Sequence, residues 1–310
     1  MHYFFKCYLF MHCSVTPDDV PLHEIEIDVY VSTGVMYKPK LMACDFHFNL
    51  ALLIIESDTP LSPVTLKGID DTLSIDPTQH QGKKTSRLRP HSDLFNIVPG
   101  TQIVSVARVF IEPDDLDYGF ATFSSRSPSG LSCNELYELK HGSLEARDGA
   151  PALNSLGETI GIIFSATCFL PSDTILRWWN HYKISGEFCR PFVGMEVANL
   201  HDAELNFLEQ FITIFPGVSS SVIVTKVNHD SPAGRSGIRS NDVIVKIDGK
   251  LVQSKVKFYE HIWRKVGKSV ELKVVRVTNG EEVSLRLLIE EATPNEFNRW
   301  QLPSWRYVYV

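Results

Sequence analysis

Strand-length apolar runs, separated by turn formers, dominate the first half of this chain. Residues 24–31 alternate, Leu50-Ala51-Leu52-Leu53-Ile54-Ile55 is continuous, and residues 101–110 are rich in valine and isoleucine. Such patterning specifies a β domain. The run at 50–55 is also the longest strongly apolar stretch, far short of the roughly 20 residues that cross a bilayer. It is therefore predicted to be a buried strand, and no membrane span is expected.

At 310 residues the chain exceeds the usual size of one domain, so two domains with separate cores are expected. A composition of 44% hydrophobic and 22% charged residues is that of a soluble protein. The balance of 37 acidic against 30 basic residues, a net charge of -7, gives no electrostatic footprint for nucleic acid, and no nucleic-acid partner is expected. Cysteines at 7, 13, 44, 133, 168 and 189 show neither a CxxC nor a zinc-like spacing with the histidines. Free, mostly buried thiols are expected, with no metal and no cofactor. A metal alternative on His47 and Asp45 has no partner motif. Residues 1–15 are apolar and aromatic, but Lys6 and His12 interrupt them and no small-residue cleavage site follows, which argues against a signal peptide.

The polar stretch 76–93, with Lys83, Lys84, Arg87 and Arg89, reads as a long exposed loop with a solvated basic surface. After Pro171 the pattern changes: Ser172 or Asp173 can cap a helix through Ile175, Leu176, Trp179 and Tyr182. This helix closes a first domain, residues 1–187, followed by a second at 188–292 and a tail at 293–310. In the second, residues 222–227 and 242–248 read as strands, with Asp248-Gly249 in a type I′ turn. A helix carrying Val256, Tyr259, Ile262 or Trp263, and Val266 on one face ends at Gly267 as a left-handed cap. Asn279-Gly280 then joins two final strands, 270–277 and 282–289. Five or six strands with one or two short helices make a small, partly open barrel.

Ser231-Pro232-Ala233, Gly237-Ile238, Asn241-Asp242-Val243-Ile244 and Ile247-Asp248-Gly249 together resemble the PDZ domain of the HtrA, or Do-like, serine protease family. The family usually has glycine where Asn241 stands, and asparagine is the next residue most tolerant of positive φ. Phe192-Val193-Gly194-Met195 matches the family's carboxylate-binding loop. The resemblance implies that backbone amides there receive a peptide's terminal carboxylate while the next strand pairs with the peptide. Ile262 would line the other wall of the groove. The alternative is that these apolar residues serve only the core.

In the first half, Asp45-Phe46-His47-Phe48-Asn49-Leu50-Ala51-Leu52-Leu53 resembles the family's strand bearing the catalytic aspartate, with Asn49 at the acid's position. The run Ala146-Arg147-Asp148-Gly149-Ala150-Pro151-Ala152-Leu153-Asn154 aligns on the family's G-N-S-G-G-P-L-V-N, placing Asp148 at the nucleophilic serine. Either departure is serious: the triad needs a hydroxyl that a histidine can deprotonate and a carboxylate that orients the imidazole. Asparagine for the triad aspartate alone lowers kcat by about 10⁴ in a serine protease. Asp148 adds a negative charge where the oxyanion should develop. Ala150 also puts a Cβ where the backbone should fold tightly. The histidine is His12, 37 residues before Asn49, or its rival His23. Ser143 and Ser155 lie nearby, but neither falls at the nucleophile's sharp turn.

The resemblance covers roughly residues 24–291 and implies a mainly β fold, a trypsin-like double β-barrel short of its first strands followed by a PDZ domain. It implies partners that are peptide or protein C-termini and misfolded proteins, and homo- or hetero-oligomers with other Do-like proteins. The Asp-Phe-His motif resembles plant members, which implies a plant source and leaves chloroplast, mitochondrion and nucleus open. With no intact triad, the chain is expected to bind rather than cleave. The competing expectation is a serine endopeptidase with an unrecognised nucleophile.

Overall fold

The computed structural model describes residues 5–12, 27–31, 34–76, 94–108, 116–128, 131, 133–140, 142, 149–164 and 167–298. The first lobe holds β1 (Phe5–His12), β2 (Val29–Tyr30), β3 (Met36–Tyr37), β4 (Lys40–Asp45) and β5 (Leu50–Ser57). The apolar run read from the sequence is the middle strand of the sheet β1-β5-β4. Leu50, Leu52 and Leu53 are all fully buried, which explains why the run is continuous rather than alternating. β1 precedes residue 24, where the motif resemblance begins, so this lobe gains a strand that the motifs did not reveal. Residues 24–26 of the alternating run, and the basic stretch from residue 77 to 93, lie outside the described residues.

β6 (Gly68–Asp70) and β7 (Leu94–Asn96) form a short parallel pair. They lead into a second lobe of β8 (Gln102–Arg108), β9 (Leu116–Phe123), β10 (Tyr137–Lys140), β11 (Pro151–Leu153), β12 (Thr159–Phe164) and β13 (Cys168–Pro171). These close into a six-stranded barrel in the order β10-β13-β12-β11-β8-β9. Closure leaves no unpaired edge, and Ile103, Phe123, Tyr137, Ile163 and Phe169 fill the interior.

α1 (Ser172–Ser185) follows directly from β13. Its N-cap is Pro171, not the expected Ser172 or Asp173, because both side chains are engaged elsewhere. The Ser172 hydroxyl donates to the Thr159 carbonyl at 3.3 Å, and the Asp173 carboxylate accepts the Ile69 N–H at 2.7 Å. Ile175 and Trp178 form the buried stripe, and Gly186, at φ 74°, closes the helix.

The last third contains β14 (Pro191–Phe192), β15 (Met195–Asn199), α2 (Leu205–Ile214), β16 (Val222–Val227), α3 (Pro232–Arg235), β17 (Val243–Ile247), β18 (Lys250–Leu251), α4 (Lys255–Trp263), β19 (Ser269–Arg276), β20 (Glu281–Leu288) and β21 (Glu290–Glu291). The main sheet runs β15-β16-β17-β19-β20, and β14 pairs with β21. Asn241 takes φ 69°, as its place in a glycine position requires. Asp248 and Gly249, at φ 48° and 77°, make the type I′ turn between β17 and β18. Asp242 then fastens the sheet, its carboxylate accepting two bonds from the Arg276 guanidinium at 2.9 and 3.1 Å.

Two sequence expectations are corrected here. α4 ends at Trp263, so Gly267 closes a later turn instead, its N–H donating to Ile289. The final hairpin loop is four residues long, 277–280, with Gly280 at φ 67° and its N–H bonded to the Arg276 carbonyl. α2 was not anticipated at all. Cys44, Cys133, Cys168 and Cys189 are free thiols; Cys133 and Cys168 are buried, while Cys44 and Cys189 are partly exposed.

Candidate functional site

The loop after β14 is held from one side. The Val193 carbonyl accepts the Ala233 N–H at 2.9 Å, and the Gly194 carbonyl accepts the Asn228 N–H at 2.9 Å and lies 3.0 Å from the Ser231 hydroxyl. In a trans peptide the N–H points opposite to its carbonyl, so the amides of Gly194 and Met195 face away from α3. Two successive amides turned the same way form an anion-binding nest. Gly194 sits at φ 69°, and a Cβ there would lie 2.0 Å from the Ser231 Cβ, so only glycine fits. Beyond the loop, β15 is an edge strand of its sheet among the described residues. An edge strand next to an amide nest is the geometry of peptide capture by strand addition.

Of the residues singled out from sequence, Val193, Met195 and Ile262 meet in one buried cluster with Val197 and Tyr259. Phe192 is half-buried and pairs with Glu290. Ile262 is only 1% exposed, so in this arrangement it belongs to the core that floors the site rather than to an open wall.

The other side of α4 packs on the second and first lobes. Val256 enters the barrel's cluster, and Trp263 stacks on Phe48 with centroids 5.9 Å apart and planes 16° apart. At the helix start, the Lys255 ammonium bonds to the Leu136 carbonyl at 3.0 Å and the Ser127 hydroxyl at 3.1 Å, 3.8 Å from the Tyr137 ring centre. Asn199, at the far end of β15, donates to Asp71 at 2.9 Å and accepts the Lys255 N–H at 2.7 Å. Tyr137 donates to the same Asp71 oxygen at 2.6 Å. The region between β15 and α4 is thus covered at one end by the barrel.

The catalytic positions come together only in part. Asn49 is buried at φ 52° and ends a turn organised by Asp45. The Asp45 carboxylate accepts the N–H groups of His47 and Phe48 at 2.9 and 3.1 Å and the Trp178 indole N–H at 2.9 Å. Strand register sets His12 opposite Leu50, so its backbone runs beside Asn49. Asp148, Ser143 and His23 lie outside the described residues, and Ser155 stands exposed in the 154–157 turn. The Cβ of Ala150 is accommodated without strain. Gly149 takes the positive φ of 84°, while Ala150 is not among the residues with positive φ and bonds through its carbonyl to the Ile163 N–H at 2.8 Å.

A second constellation was not visible in the sequence. His47, Cys133 and Glu135 are buried with ligand atoms within 4.8 Å of one another, a set that has the donors for a metal ion. Their hydrogen bonds argue for another role. The His47 Nδ1 accepts the Asn298 N–H at 2.9 Å, which puts the ring proton on Nε2, facing Glu135 at 3.5 Å. A metal on Nε2 would need that proton on Nδ1, against the Asn298 N–H. Arg190 adds a positive charge 3.4 Å from Glu135. Burial and Arg190 lower the His47 pKa, keeping the ring neutral against the pull of Glu135 and Asp45. Burial raises that of Glu135, but Arg190 and His47 outweigh it and hold the carboxyl well below the usual range. Burial pushes the Cys133 thiol well up, so it is no nucleophile. The cluster ties the 45–49 turn, the barrel, the segment before β14 and residue 298 together. Residues 293–298 are therefore anchored, not a loose tail. Only long-range contacts, 88 residues apart in the His47–Glu135 pair, create it, and no local spacing signals that.

Comparison with known proteins follows the same division. The PDZ domain family matches residues 191–289. The putative protease Do-like 14 of Arabidopsis thaliana is 28% identical over 280 residues, covering 87% of this chain and 58% of the relative. The serine protease Do-like HtrB of Bacillus subtilis is 23% identical over 236 residues, 68% of this chain and 50% of the relative. Over most of its length the chain is thus similar to Do-like, or HtrA, serine proteases. It spans about half the length of these Do-like relatives. The structure of the HtrA-type protease AlgW with tripeptide covers 93% of this chain and is itself covered to 86%, with a TM-score of 0.55 and 21% identity. That likeness establishes the trypsin-like fold and its PDZ domain. Among the described residues, no helix is long and apolar enough to cross a membrane.

Proposed function

We propose that this Do-like chain acts by binding: its PDZ domain, within residues 188–292, takes peptide or protein carboxyl ends, on a trypsin-like domain, within residues 1–187, that has no working triad. The observation that carries the binding half is the Gly194 loop, whose two outward amides adjoin the edge strand β15. Support for the inactive half is chemical. An amide at position 49 cannot stabilise an imidazolium, and a carboxylate at 148 cannot form a productive acyl-enzyme with a peptide. The AlgW structure, solved with a tripeptide, agrees with peptide binding on this fold. Recognition of damaged proteins, and assembly with or regulation of active Do-like relatives, are the roles this reading gives the chain.

The test uses the full chain and peptides with apolar ends, free or amidated. Free carboxyl ends are expected to bind at least about tenfold more tightly by fluorescence polarisation, a difference of about 1.4 kcal/mol for a desolvated carboxylate in a nest. Equal affinity for both forms removes the carboxylate-loop assignment.

A further inference from the structure

We propose that Arg177 and Trp263 form a binding site for a small oxyanion, and that the bound anion joins α1 of the trypsin-like domain to α4 of the PDZ domain. The site uses no residue of the Gly194 loop and does not rest on the peptide-binding reading above.

Two helix faces bring these side chains together. α1 buries Ile175 and Trp178, so Arg177, next to Trp178, stands at the rim of that stripe and is half-buried. On α4, Trp263 lies two turns beyond Val256 and shares its face. Val256 enters the barrel's cluster, whereas Trp263 joins the cluster that holds Ile175 and Trp178. This sets the Arg177 guanidinium carbon over the Trp263 ring, 5.9 Å from its centre. The guanidinium takes the face of the indole, while the indole N–H points out in the ring plane.

Both donors lack acceptors. Trp263 is 4% exposed, and neither its Nε1–H nor the buried Nε–H of Arg177 meets an acceptor among the described residues. The guanidinium's one side-chain bond runs from Nη2 to the Thr174 hydroxyl of its own helix, at 3.4 Å. Buried donors are paired in native proteins, with protein groups, water or an ion. Charge favours the ion. Among the described residues Arg177 forms no ion pair, and the carboxylates that act on it through space are engaged elsewhere. Asp173 accepts the Ile69 N–H at 2.7 Å, Glu260 pairs with Lys257 at 2.6 Å, and Glu135 pairs with Arg190 at 3.4 Å. A water molecule would bring two protons of its own to be satisfied. An oxyanion only accepts, and its bond to the guanidinium is charge-assisted. The exposed part of Arg177 gives it a way in from solvent.

The experiment titrates the full chain with inorganic phosphate, and separately with acetate, against chloride at equal ionic strength. Tryptophan fluorescence and thermal unfolding are both read. A saturable change with phosphate or acetate, absent with chloride, is expected, together with a rise in the unfolding midpoint, since a ligand of the folded state stabilises it. The anion that saturates at the lower concentration identifies the ligand as tetrahedral or planar. Trp263→Phe keeps a ring under the guanidinium and removes the N–H, and should weaken binding at least about fivefold; Arg177→Gln should weaken it at least about tenfold. Should Arg177→Gln fail to fold, Trp263→Phe and the native titrations still decide. The response must persist in Gly194→Ala, which separates this site from the carboxylate loop. No saturable effect beyond that of chloride would mean that water satisfies the two donors and would overturn the proposal. Equal anion affinity in the native chain and Trp263→Phe, or loss of the response in Gly194→Ala, would place the anion elsewhere and overturn it too.

Discussion

Gly194→Ala should cost the chain its hold on peptide carboxyl ends. A left-handed backbone costs a non-glycine residue about 1–2 kcal/mol, and Gly194 is at φ 69°. The larger effect is steric, since the added carbon would lie 2.0 Å from the Ser231 Cβ and 2.4 Å from its hydroxyl. Ser231 cannot yield cheaply, because it caps α3 through the Gly234 N–H and also contacts the Asn228 carbonyl at 2.6 Å. The loop must shift instead, carrying the amides of Gly194 and Met195 out of line. An affinity loss of at least about tenfold is expected. Ser231→Gly in the same chain removes the obstacle but not the strain, so it should restore part of the binding. Unaltered binding in the single variant would mean that the ligand carboxylate is held elsewhere.

Glu135→Ala should produce the largest fall in stability. It removes a buried carboxylate that faces both Arg190 and His47, and takes from the Arg190 guanidinium, 13% exposed, its ion-pair partner. Breaking a buried pair in this way costs about 3–5 kcal/mol. At 2–4 °C per kcal/mol, the unfolding midpoint should drop by roughly 10 °C. The pH dependence has a definite sign. Both His47 and Glu135 have folded pKa values below their ordinary ones, 6.5 and 4.5, so the unfolded chain binds more protons than the folded one as pH falls. Their stabilisation is present above those values and is lost first below pH 6.5 and then below 4.5. The gap between native chain and variant, read by thermal unfolding, should therefore narrow as pH drops through the lower range. A constant gap from pH 7 to pH 3.5 would show that Glu135 is not the charge partner of Arg190.

Local features carried most of the fold into the sequence. The run at 50–55 became β5, Asp248-Gly249 became its turn, and Asn241 took the positive φ that its glycine position demands. α2 was missed although its signal was present: Phe207, Phe211 and Phe215 recur at helical spacing and pack ring on ring, with centroids 6.0 and 5.5 Å apart. The cap of α1 was misread because Asp173 has the right chemistry for capping but bonds to Ile69, 104 residues away. The same limit hid the His47–Glu135–Arg190 cluster and the burial of Lys255, whose partners come from other elements. Motif spacing reveals what one segment does by itself. It cannot show what one domain's helix meets on the other.

Binding without cleavage can be tested by treating the folded full chain with a fluorophosphonate probe. No serine adduct is expected, because residue 148 offers a carboxylate and residue 49 an amide. Robust labelling of a serine, blocked by a serine-protease inhibitor, would contradict it and restore the enzyme.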